Sequence, residues 1–349
     1  MSWLDSLQRA DSGSLPDTAI RCPDPDRVPT TADELGLPEV MSGDGPLVSV
    51  ILPTYDDAQY LPAALESVGR QTYQNLEVVI VDSTGVSWVE ALANDRHWIR
   101  YTYSRPQGLS AARNDGIERA NGSYIALLDA DDYWHPEKIE RQLDAVDDEP
   151  SLVYTGFYRV TFEGGQPREV QCWGLEPPSD RPVDDVLNSR VLVFPSTLLF
   201  SSDVGSDRPF EESLDAWEDV FFIVEALLDN DLKHVPEPLA VYRNRFDSLS
   251  SDQKQMYSSQ VQGLELLATR YPELERDVIR SRADAELRLG VCYLKENEKS
   301  TARRHIASSL RQFPFDFRAP GLYLATILPV DSRRTVKHLR PFYNAIFES

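Results

Sequence analysis

The chain has 349 residues, of which 41% are hydrophobic and 10% are aromatic. At roughly 150 residues per domain, this length accommodates one large domain and a smaller one, and the composition is too apolar for a disordered chain. No stretch approaches the roughly 18 consecutive apolar residues of a membrane-spanning helix, and residues 1–17 lack the apolar core of a secretory signal. Neither membrane insertion nor secretion is expected.

The charge is strongly negative, because 57 acidic residues outnumber 35 basic ones and give a formal net charge of −22. The basic residues are 29 Arg and only 6 Lys. Such a surface suits concentrated salt, where a screening length of about 3 Å at 1 M suppresses self-repulsion. We expect a halophilic, haloarchaeal source, and an acidic protein of ordinary cytosol is the alternative. Nucleic acid is not an expected partner, because polyanion binding relies on clustered Lys and Arg.

The cysteines Cys22, Cys172 and Cys292 are odd in number and widely spaced. This pattern indicates neither a disulfide framework nor a zinc site. A reducing cytoplasm is the expected location.

Three regions are predicted along the chain. Residues 1–46 are rich in Pro, Asp and Ser without periodicity and predict an extended or partly wrapped acidic leader that carries no chemistry. Residues 47–253 predict an α/β domain, and residues 254–349 predict a mainly helical region. Residues 289–314 resemble one tetratricopeptide-like hairpin. Because about three repeats are normally needed for such a fold to stand alone, we expect this hairpin to pack on the α/β domain.

The α/β region begins with alternating strands and helices. Apolar runs predict strands at 47–53, 75–82, 98–104 and 123–129, and helical spacing predicts helices at 58–72 and 109–122. Continuous apolar strands indicate burial on both faces, and therefore a parallel sheet covered by helices. Asp82 and Asp129 end two of these strands, at the edge where open α/β sheets bind ligands.

The following segment predicts a helix and then a smaller mixed sheet. Pro136 opens the helix, which Glu137 and Arg141 support at i and i+4. The later elements are strands at 152–162, 168–173 and 195–201, an amphipathic helix at 217–230, and a strand at 232–245 that leads into a loop.

The sequence "DADD" at residues 129–132 concentrates carboxylates where a buried strand ends. Asp129 and Asp131 are two residues apart, so in an extended segment both side chains project to the same side. Mg²⁺ and Mn²⁺ prefer oxygen ligands, and Mg²⁺ is usually held by one or two carboxylates together with substrate phosphates. The alternative is a solvated turn or the N-cap of the next helix.

Residues 48–143 resemble the family 2 glycosyltransferases of the GT-A fold. The resemblance rests on "VSVILPTYDDAQYLPAALESVGRQTYQNLEVVIVDS" followed by "GLSAARNDGIERANGSYIALLDADD". It implies a mostly parallel, Rossmann-like sheet that binds a nucleotide-sugar, here followed by the helical C-terminal region. The loop after the second strand departs from the pattern, because the family usually continues with Asp, Gly and Ser where this chain reads "VDSTGVSW". This departure leaves the base preference open.

The resemblance implies a cofactor, Mn²⁺ or Mg²⁺, that bridges the diphosphate of the donor. Asp131 is the implied direct ligand, Asp129 lies near the metal or the ribose, and Asp132 is a helper. The implied nucleotide-sugar contacts are Pro53, Thr54, Tyr55, Asp82, Arg113, Asp129, Ala130, Arg243 and Arg245. Within this set, Asp82 resembles the aspartate that hydrogen-bonds uracil. The alternatives are that Pro53 ends a strand, Asp82 caps a turn and Arg113 pairs with a surface acid.

Glu218 and Asp219 resemble the family's Glu-Asp pair, in which the aspartate commonly serves as the catalytic base. Sugar transfer needs a base, because an alcohol is a poor nucleophile until its proton is removed. The alternative is that both acids only complement a helix dipole. Arg245 stands where the family often has His, and a planar guanidinium grips phosphate oxygens. We expect Arg243 or Arg245 to close over the diphosphate.

The resemblance implies an inverting, metal-dependent transferase that uses one in-line displacement. UDP-sugars are favoured over GDP-sugars as donors, and the expected acceptor is a glycan or a lipid-linked glycan precursor. The Gln-x-x-Arg-Trp motif and membrane helices of the processive synthases are absent from the sequence, which predicts transfer of one sugar at a time. By analogy, we expect the cytoplasmic membrane face, with peripheral association and protein contacts through the C-terminal region.

Two alternatives remain. A sugar nucleotidyltransferase could share the strand order and the metal-binding acids, and it would release pyrophosphate from a nucleoside triphosphate. A catalytically silent scaffold of a glycosylation complex would act through the helical region, and Asp219→Asn would not change its function.

Overall fold

Among the residues that the computed structural model describes, nine strands form one mixed sheet. The strands are β1 (Val48–Thr54), β2 (Leu76–Asp82), β3 (Ile99–Tyr103), β4 (Tyr124–Leu127), β5 (Tyr133–Trp134), β6 (Ser151–Glu163), β7 (Gln166–Trp173), β8 (Leu198–Ser201) and β9 (Asp231–Arg243). Their order is β3-β2-β1-β4-β8-β6-β9-β5, and β7 pairs with β6. The strands β1 to β4 are parallel, whereas β8 is antiparallel to both β4 and β6. The predicted α/β architecture with a C-terminal helical region is confirmed.

The structure describes residues 31–55, 57–146, 151–163, 166–245, 252–314, 316 and 318–327. Most of the predicted leader, Cys22 and the loop after Arg245 lie outside these residues. Within them, two compact units are present. Residues 31–212 and 222–245 form the sheet unit, and residues 213–221 and 252–327 form the helical unit.

The apolar runs form the centre of the sheet unit. Every residue of β1 and β2 is buried, as expected for strands that helices cover on both faces. The helices of this unit are α1 (Leu61–Gly69), α2 (Ser87–Asn94), α3 (Leu109–Arg119), α4 (Lys138–Asp144), α5 (Pro182–Leu187) and α6 (Ser202–Asp207). Helix α3 packs closely, because a Cβ added at Gly116 would lie 2.4 Å from Cγ2 of Ile51 on β1. This packing fixes the helix that carries Arg113.

The described part of the predicted leader, residues 31–46, is packed rather than free. Leu37 and Met41 are buried with the sheet core. Arg96 donates to the carbonyl oxygens of Leu37 and Pro38 at 3.1 Å each, and the indole of Trp98 donates to Pro38 at 2.9 Å. These bonds satisfy backbone groups that have no strand or helix partner.

The helical unit contains α8 (Gln253–Arg270), α9 (Glu275–Lys295), α10 (Lys299–Gln312) and α11 (Arg318–Ile327). Helices α9 and α10 occupy the segment of the predicted tetratricopeptide-like hairpin. They approach closely at Gly290, where an added Cβ would lie 2.6 Å from Cγ1 of Ile306. In the described part of the chain, no helix is both long and apolar enough to span a membrane.

Candidate nucleotide-sugar site

Polar side chains meet where the parallel strands of the sheet unit end. Thr54 and Asp82 are register partners at the carboxyl ends of β1 and β2. Strand β4 lies on the other side of β1 and leads into the acidic turn, which we define as residues 129–132. The chain direction of these three strands therefore places the predicted acids at one edge of the sheet.

Ser196 and a backbone bond hold the acidic turn in shape. The N–H of Asp132 donates to the carbonyl of Asp129 at 3.0 Å. Ser196 accepts from the N–H of Asp129 at 3.1 Å and donates to the Asp132 carboxylate at 2.6 Å. Asp132 is 2% exposed and also accepts from the N–H of Arg243 at 2.9 Å. Asp132 thus supports the turn from inside the protein, and Ala130 beside it is likewise buried.

Each of the two predicted metal-binding acids pairs with an arginine. Arg113 donates to Asp129 Oδ1 at 2.9 Å, and Arg245 donates to Asp131 Oδ2 at 3.2 Å. Burial and then the charges of Asp129 and Asp57 raise the pKa of Asp131 to about 7, against the opposing charges of the nearby arginines. Burial and the neighbouring acids therefore disfavour the ionised form of Asp131 in the ligand-free protein.

Asp57 is a site residue that the sequence analysis missed. Its carboxylate accepts from Thr54 Oγ1 and from the N–H of Tyr55, both at 3.0 Å, directly after β1. Burial raises its pKa, and the negative charge of Asp129 adds to this effect. An acid directly after the first strand is the signal that could have identified it.

Two aromatic rings position Arg243 and Arg245. The guanidinium of Arg243 lies 4.8 Å from the ring centroid of Tyr60 and 4.4 Å from that of Phe162. The guanidinium of Arg245 lies 4.9 Å from the same Tyr60 ring. Arg243 is only 4% exposed, and its Nε donates to the carbonyl of Asp131 at 2.9 Å. Arg243 therefore holds the acidic turn against the end of β9. Arg245 is the better candidate to bind the diphosphate.

The neighbouring strand ends form the predicted base-binding edge. Asp82 is fully buried and accepts from the Thr84 hydroxyl at 2.6 Å, the Thr84 N–H at 2.8 Å and the Tyr101 hydroxyl at 2.9 Å. The predicted hydrogen bond to uracil thus requires that Asp82 become exposed. Tyr55 is 56% exposed, and Tyr103 on β3 is 54% exposed. Large exposed aromatic rings at this edge are suited to stacking on a flat base.

Glu218 and Asp219 form the first turn of α7 (Glu218–Ala226). Glu218 is 8% exposed, Asp219 is half-buried, and Asp219 Oδ1 accepts from the N–H of Val220 at 2.7 Å. The preceding Trp217 has a positive φ of 67° and packs on Gly263 of α8, where an added Cβ would lie 2.6 Å from Cε3 of the indole. This packing fixes the start of the helix that presents both acids.

The donor set of the acidic turn fits a divalent cation that is shared with phosphates. Among the described residues, no group of three or more His, Cys, Asp and Glu side chains is arranged as a metal cage. Mg²⁺ rarely uses such cages and binds through one or two carboxylates plus phosphate oxygens. Asp131 and Asp129 have the carboxylate oxygens that such a site would use.

Residues 49–201 match the sequence profile of "Glycosyl transferase family 2". This match covers less than half of the chain and makes residues 49–201 similar to a glycosyltransferase family 2 domain. A putative glycosyltransferase, EpsH of Bacillus subtilis, is 27% identical over 277 residues, which are 74% of this chain and 80% of that protein. By contrast, the chain spans only 33% of an uncharacterized glycosyltransferase of Rickettsia conorii. With these relatives, the family 2 domain identifies the chain as a glycosyltransferase enzyme.

Solved structures with the same architecture support the family 2 domain. S. aureus TarS 1-349 in complex with UDP-GlcNAc has a TM-score of 0.63 at 20% identity and covers 84% of this chain and 91% of its own. The mannosyltransferase PcManGT of Pyrobaculum calidifontis, in complex with GDP-Man and Mn²⁺, has a TM-score of 0.52 at 16% identity. The match covers 90% of this chain and 91% of the PcManGT chain. At these identities the likeness establishes the fold, and the predicted GT-A fold is confirmed.

Proposed function

We propose that this chain is a metal-dependent, inverting glycosyltransferase that moves one sugar from a nucleotide-sugar to a hydroxyl of a glycan or a lipid-linked glycan. UDP-sugars are favoured over GDP-sugars. The observation that carries the proposal is the acidic turn, where three aspartates lie within four residues at the carboxyl edge of the sheet and Asp57 lies close by. The complexes of TarS with UDP-GlcNAc and of PcManGT with GDP-Man and Mn²⁺ support a nucleotide-sugar donor and a divalent cation.

The donor lies along the carboxyl edge of β1, β2 and β4. Its base stacks on Tyr55 beside Pro53 and Thr54, and Asp82 holds the loop that frames the base. Its diphosphate lies at the acidic turn, where Asp131 and Asp129 hold the cation and Arg245 donates to phosphate oxygens. When bound, the cation offsets the negative charge that develops on the departing nucleoside diphosphate.

Asp219 acts on the acceptor. Its carboxylate takes the proton of the acceptor hydroxyl as that oxygen attacks the anomeric carbon, and the bond to the diphosphate breaks on the opposite side. A single displacement of this kind inverts the anomeric configuration. Glu218, in the same helical turn, orients α7 rather than accepting the proton.

Binding calorimetry with UDP and GDP in molar KCl, with and without Mn²⁺, tests the site. The wild type is expected to bind one nucleotide in a Mn²⁺-dependent manner. Asp131→Asn is expected to weaken that binding by about 100-fold or more, since even supporting residues of metal sites contribute about 10- to 100-fold. Asp229→Asn, which removes an exposed aspartate of the same unit, serves as the control. No binding of either nucleotide to the folded wild type contradicts the proposal and favours the scaffold.

Turnover of the identified donor tests the catalytic base. Asp219→Asn is expected to lower kcat by about 10²- to 10⁴-fold, the usual contribution of general base catalysis, and to leave nucleotide affinity unchanged. Unchanged kcat contradicts this assignment. Release of pyrophosphate from a nucleoside triphosphate and a sugar phosphate would identify a nucleotidyltransferase instead.

A further inference from the structure

Arg245 forms an ion pair with Asp131, the carboxylate that is proposed to bind the cation. Its Nη1 lies 3.2 Å from Oδ2 of Asp131, with 12% of the arginine side chain and 19% of the aspartate side chain exposed. A divalent cation that binds Asp131 Oδ2 competes with this guanidinium, because both positive groups are attracted to the same carboxylate oxygen. The ion pair is therefore in direct competition with the metal.

The three arginines around the acidic turn differ in how firmly they are held. Arg113 is 1% exposed and lies over the ring of Phe210 at 5.3 Å, in addition to its bond with Asp129. Arg243 is 4% exposed and lies against two aromatic rings. Arg245 is the most exposed of the three, and one face of its guanidinium lies on Tyr60. The guanidinium of Arg245 therefore has the most freedom to change partners.

The charges of this cluster also favour an exchange. Asp57, Asp129, Asp131 and Asp132 provide four carboxylates, and Arg113, Arg243 and Arg245 provide three guanidinium groups. A diphosphate that arrives alone meets these carboxylates, and a cation that arrives alone competes with Arg245. When both arrive together, the cation takes Asp131 and the released guanidinium can pair with phosphate oxygens.

Building on the proposed function, we infer that Arg245 is an exchangeable counter-ion of the nucleotide-sugar site. It neutralises Asp131 in the ligand-free protein and transfers to the diphosphate when a divalent cation takes its place. Cation and nucleotide then bind with positive cooperativity, because each removes the obstacle to the other. By linkage, the factor by which the nucleotide strengthens cation binding equals the factor by which the cation strengthens nucleotide binding.

Mn²⁺ binding to the full chain, followed by electron paramagnetic resonance of the free ion, tests the inference. In the wild type, saturation with whichever of UDP and GDP binds is expected to raise Mn²⁺ affinity at least about tenfold, within the usual range of coupling between sites. Arg245→Gln is expected to bind Mn²⁺ alone about 3- to 10-fold more tightly, because the competing charge is gone. Its coupling to the nucleotide is expected to fall to about threefold or less.

Two further variants separate charge from packing. Arg245→Lys keeps the competing charge and is expected to retain a Mn²⁺ affinity near that of the wild type. Arg141→Gln removes an exposed arginine that pairs with Glu137 in the same unit. It is expected to change neither the Mn²⁺ affinity nor the coupling between Mn²⁺ and nucleotide. A purely structural Arg245 would lose Mn²⁺ affinity when replaced, so a gain of affinity distinguishes the two roles.

The outcomes distinguish this inference from the proposed function. If Arg245→Gln binds Mn²⁺ alone no more tightly than the folded wild type, the counter-ion role is overturned even when nucleotide binding is intact. If Arg245→Gln gains Mn²⁺ affinity but neither UDP nor GDP binds any variant, the exchange at Asp131 stands and the proposed nucleotide site fails.

Discussion

Two partly buried charge clusters in this protein differ in their balance of acidic and basic side chains. At the acidic turn of the sheet unit, four carboxylates meet three arginines. In the helical unit, the paired cluster of Asp284, Asp316, Arg288 and Arg318 has equal numbers of each. Arg318 bonds to Asp316 at 2.6 Å and to Asp284 at 2.7 Å, and Arg288 bonds to Asp284 at 2.5 Å.

The pKa values of the aspartates record this difference. Burial and neighbouring acids raise the pKa of Asp131 to about 7. Burial also acts to raise the pKa of Asp316, but hydrogen bonds and charge from Arg318 outweigh it, and the net shift is downward. The paired cluster is balanced by its own side chains, whereas the acidic turn would gain positive charge from the proposed cation.

The largest effect is expected from breaking the paired cluster. Arg318→Gln leaves the buried Asp316 and the half-buried Asp284 short of donors and is expected to lower the free energy of unfolding by about 1–3 kcal/mol. Chemical denaturation followed by circular dichroism measures the change. Arg282→Gln removes an ion pair with the more exposed Glu265 and is expected to cost less than about 1 kcal/mol. Equal losses of unfolding free energy in the two variants would show that the paired cluster contributes no more to stability than an exposed ion pair.

A smaller effect is expected at the ring shared by two arginines of the sheet unit. Tyr60→Leu removes its contacts with Arg243 and Arg245 and is expected to weaken Mn²⁺-dependent nucleotide binding by about 2- to 30-fold, equivalent to about 0.5–2 kcal/mol. Calorimetry with the nucleotide that the wild type binds measures this loss. An unchanged affinity would show that the arginines keep their positions without the ring.

Removing one charge is expected to affect stability differently in the acidic turn and in the paired cluster. Asp131→Asn removes one of four crowded carboxylates and is expected to leave the free energy of unfolding unchanged or to raise it by up to about 1 kcal/mol in the absence of Mn²⁺. Denaturation under the same conditions as for Arg318→Gln provides the comparison. A loss of stability would mean that the pair with Arg245 outweighs the repulsion among the acids.

The smallest effect is a pH dependence of the paired cluster. Because the folded-state pKa of Asp316 is lowered, its contribution to stability is fully present above the unfolded-state value of about 3.9. This contribution is lost as pH falls through the lower folded-state value. The stability difference between wild type and Arg318→Gln is therefore expected to narrow below about pH 4. A difference that is constant across this range would contradict the role of Asp316.

Sequence patterns were sufficient for the elements that depend on local composition. The apolar runs around Val50 and Val79 predict buried parallel strands, because a strand covered on both faces has no polar side. The positions of Asp82 and Asp129 at the edge of the sheet follow from the direction of those strands. The resemblance to family 2 glycosyltransferases, carried by the same segment, led to the fold that the comparisons establish.

Long-range contacts of the site were not accessible to the same reasoning. Ser196 bridges Asp129 and Asp132 from 67 and 64 residues away, and Arg243 reaches Asp132 from 111 residues away. Tyr60 looks like one of several apolar residues at helical spacing, and only the fold brings it beneath two arginines. No periodicity or spacing in the sequence encodes these pairs.

The sequence by itself determined the sheet, the edge where its parallel strands end and the acids at that edge, because strand direction and local polarity are properties of short segments. The tertiary structure alone decided which charges meet. It placed Asp57 among the acids of the turn, buried Asp82 under Thr84 and Tyr101, and paired Arg245 with Asp131. Electrostatic balance depends on distance and burial, and both arise only when segments far apart in the chain are packed together.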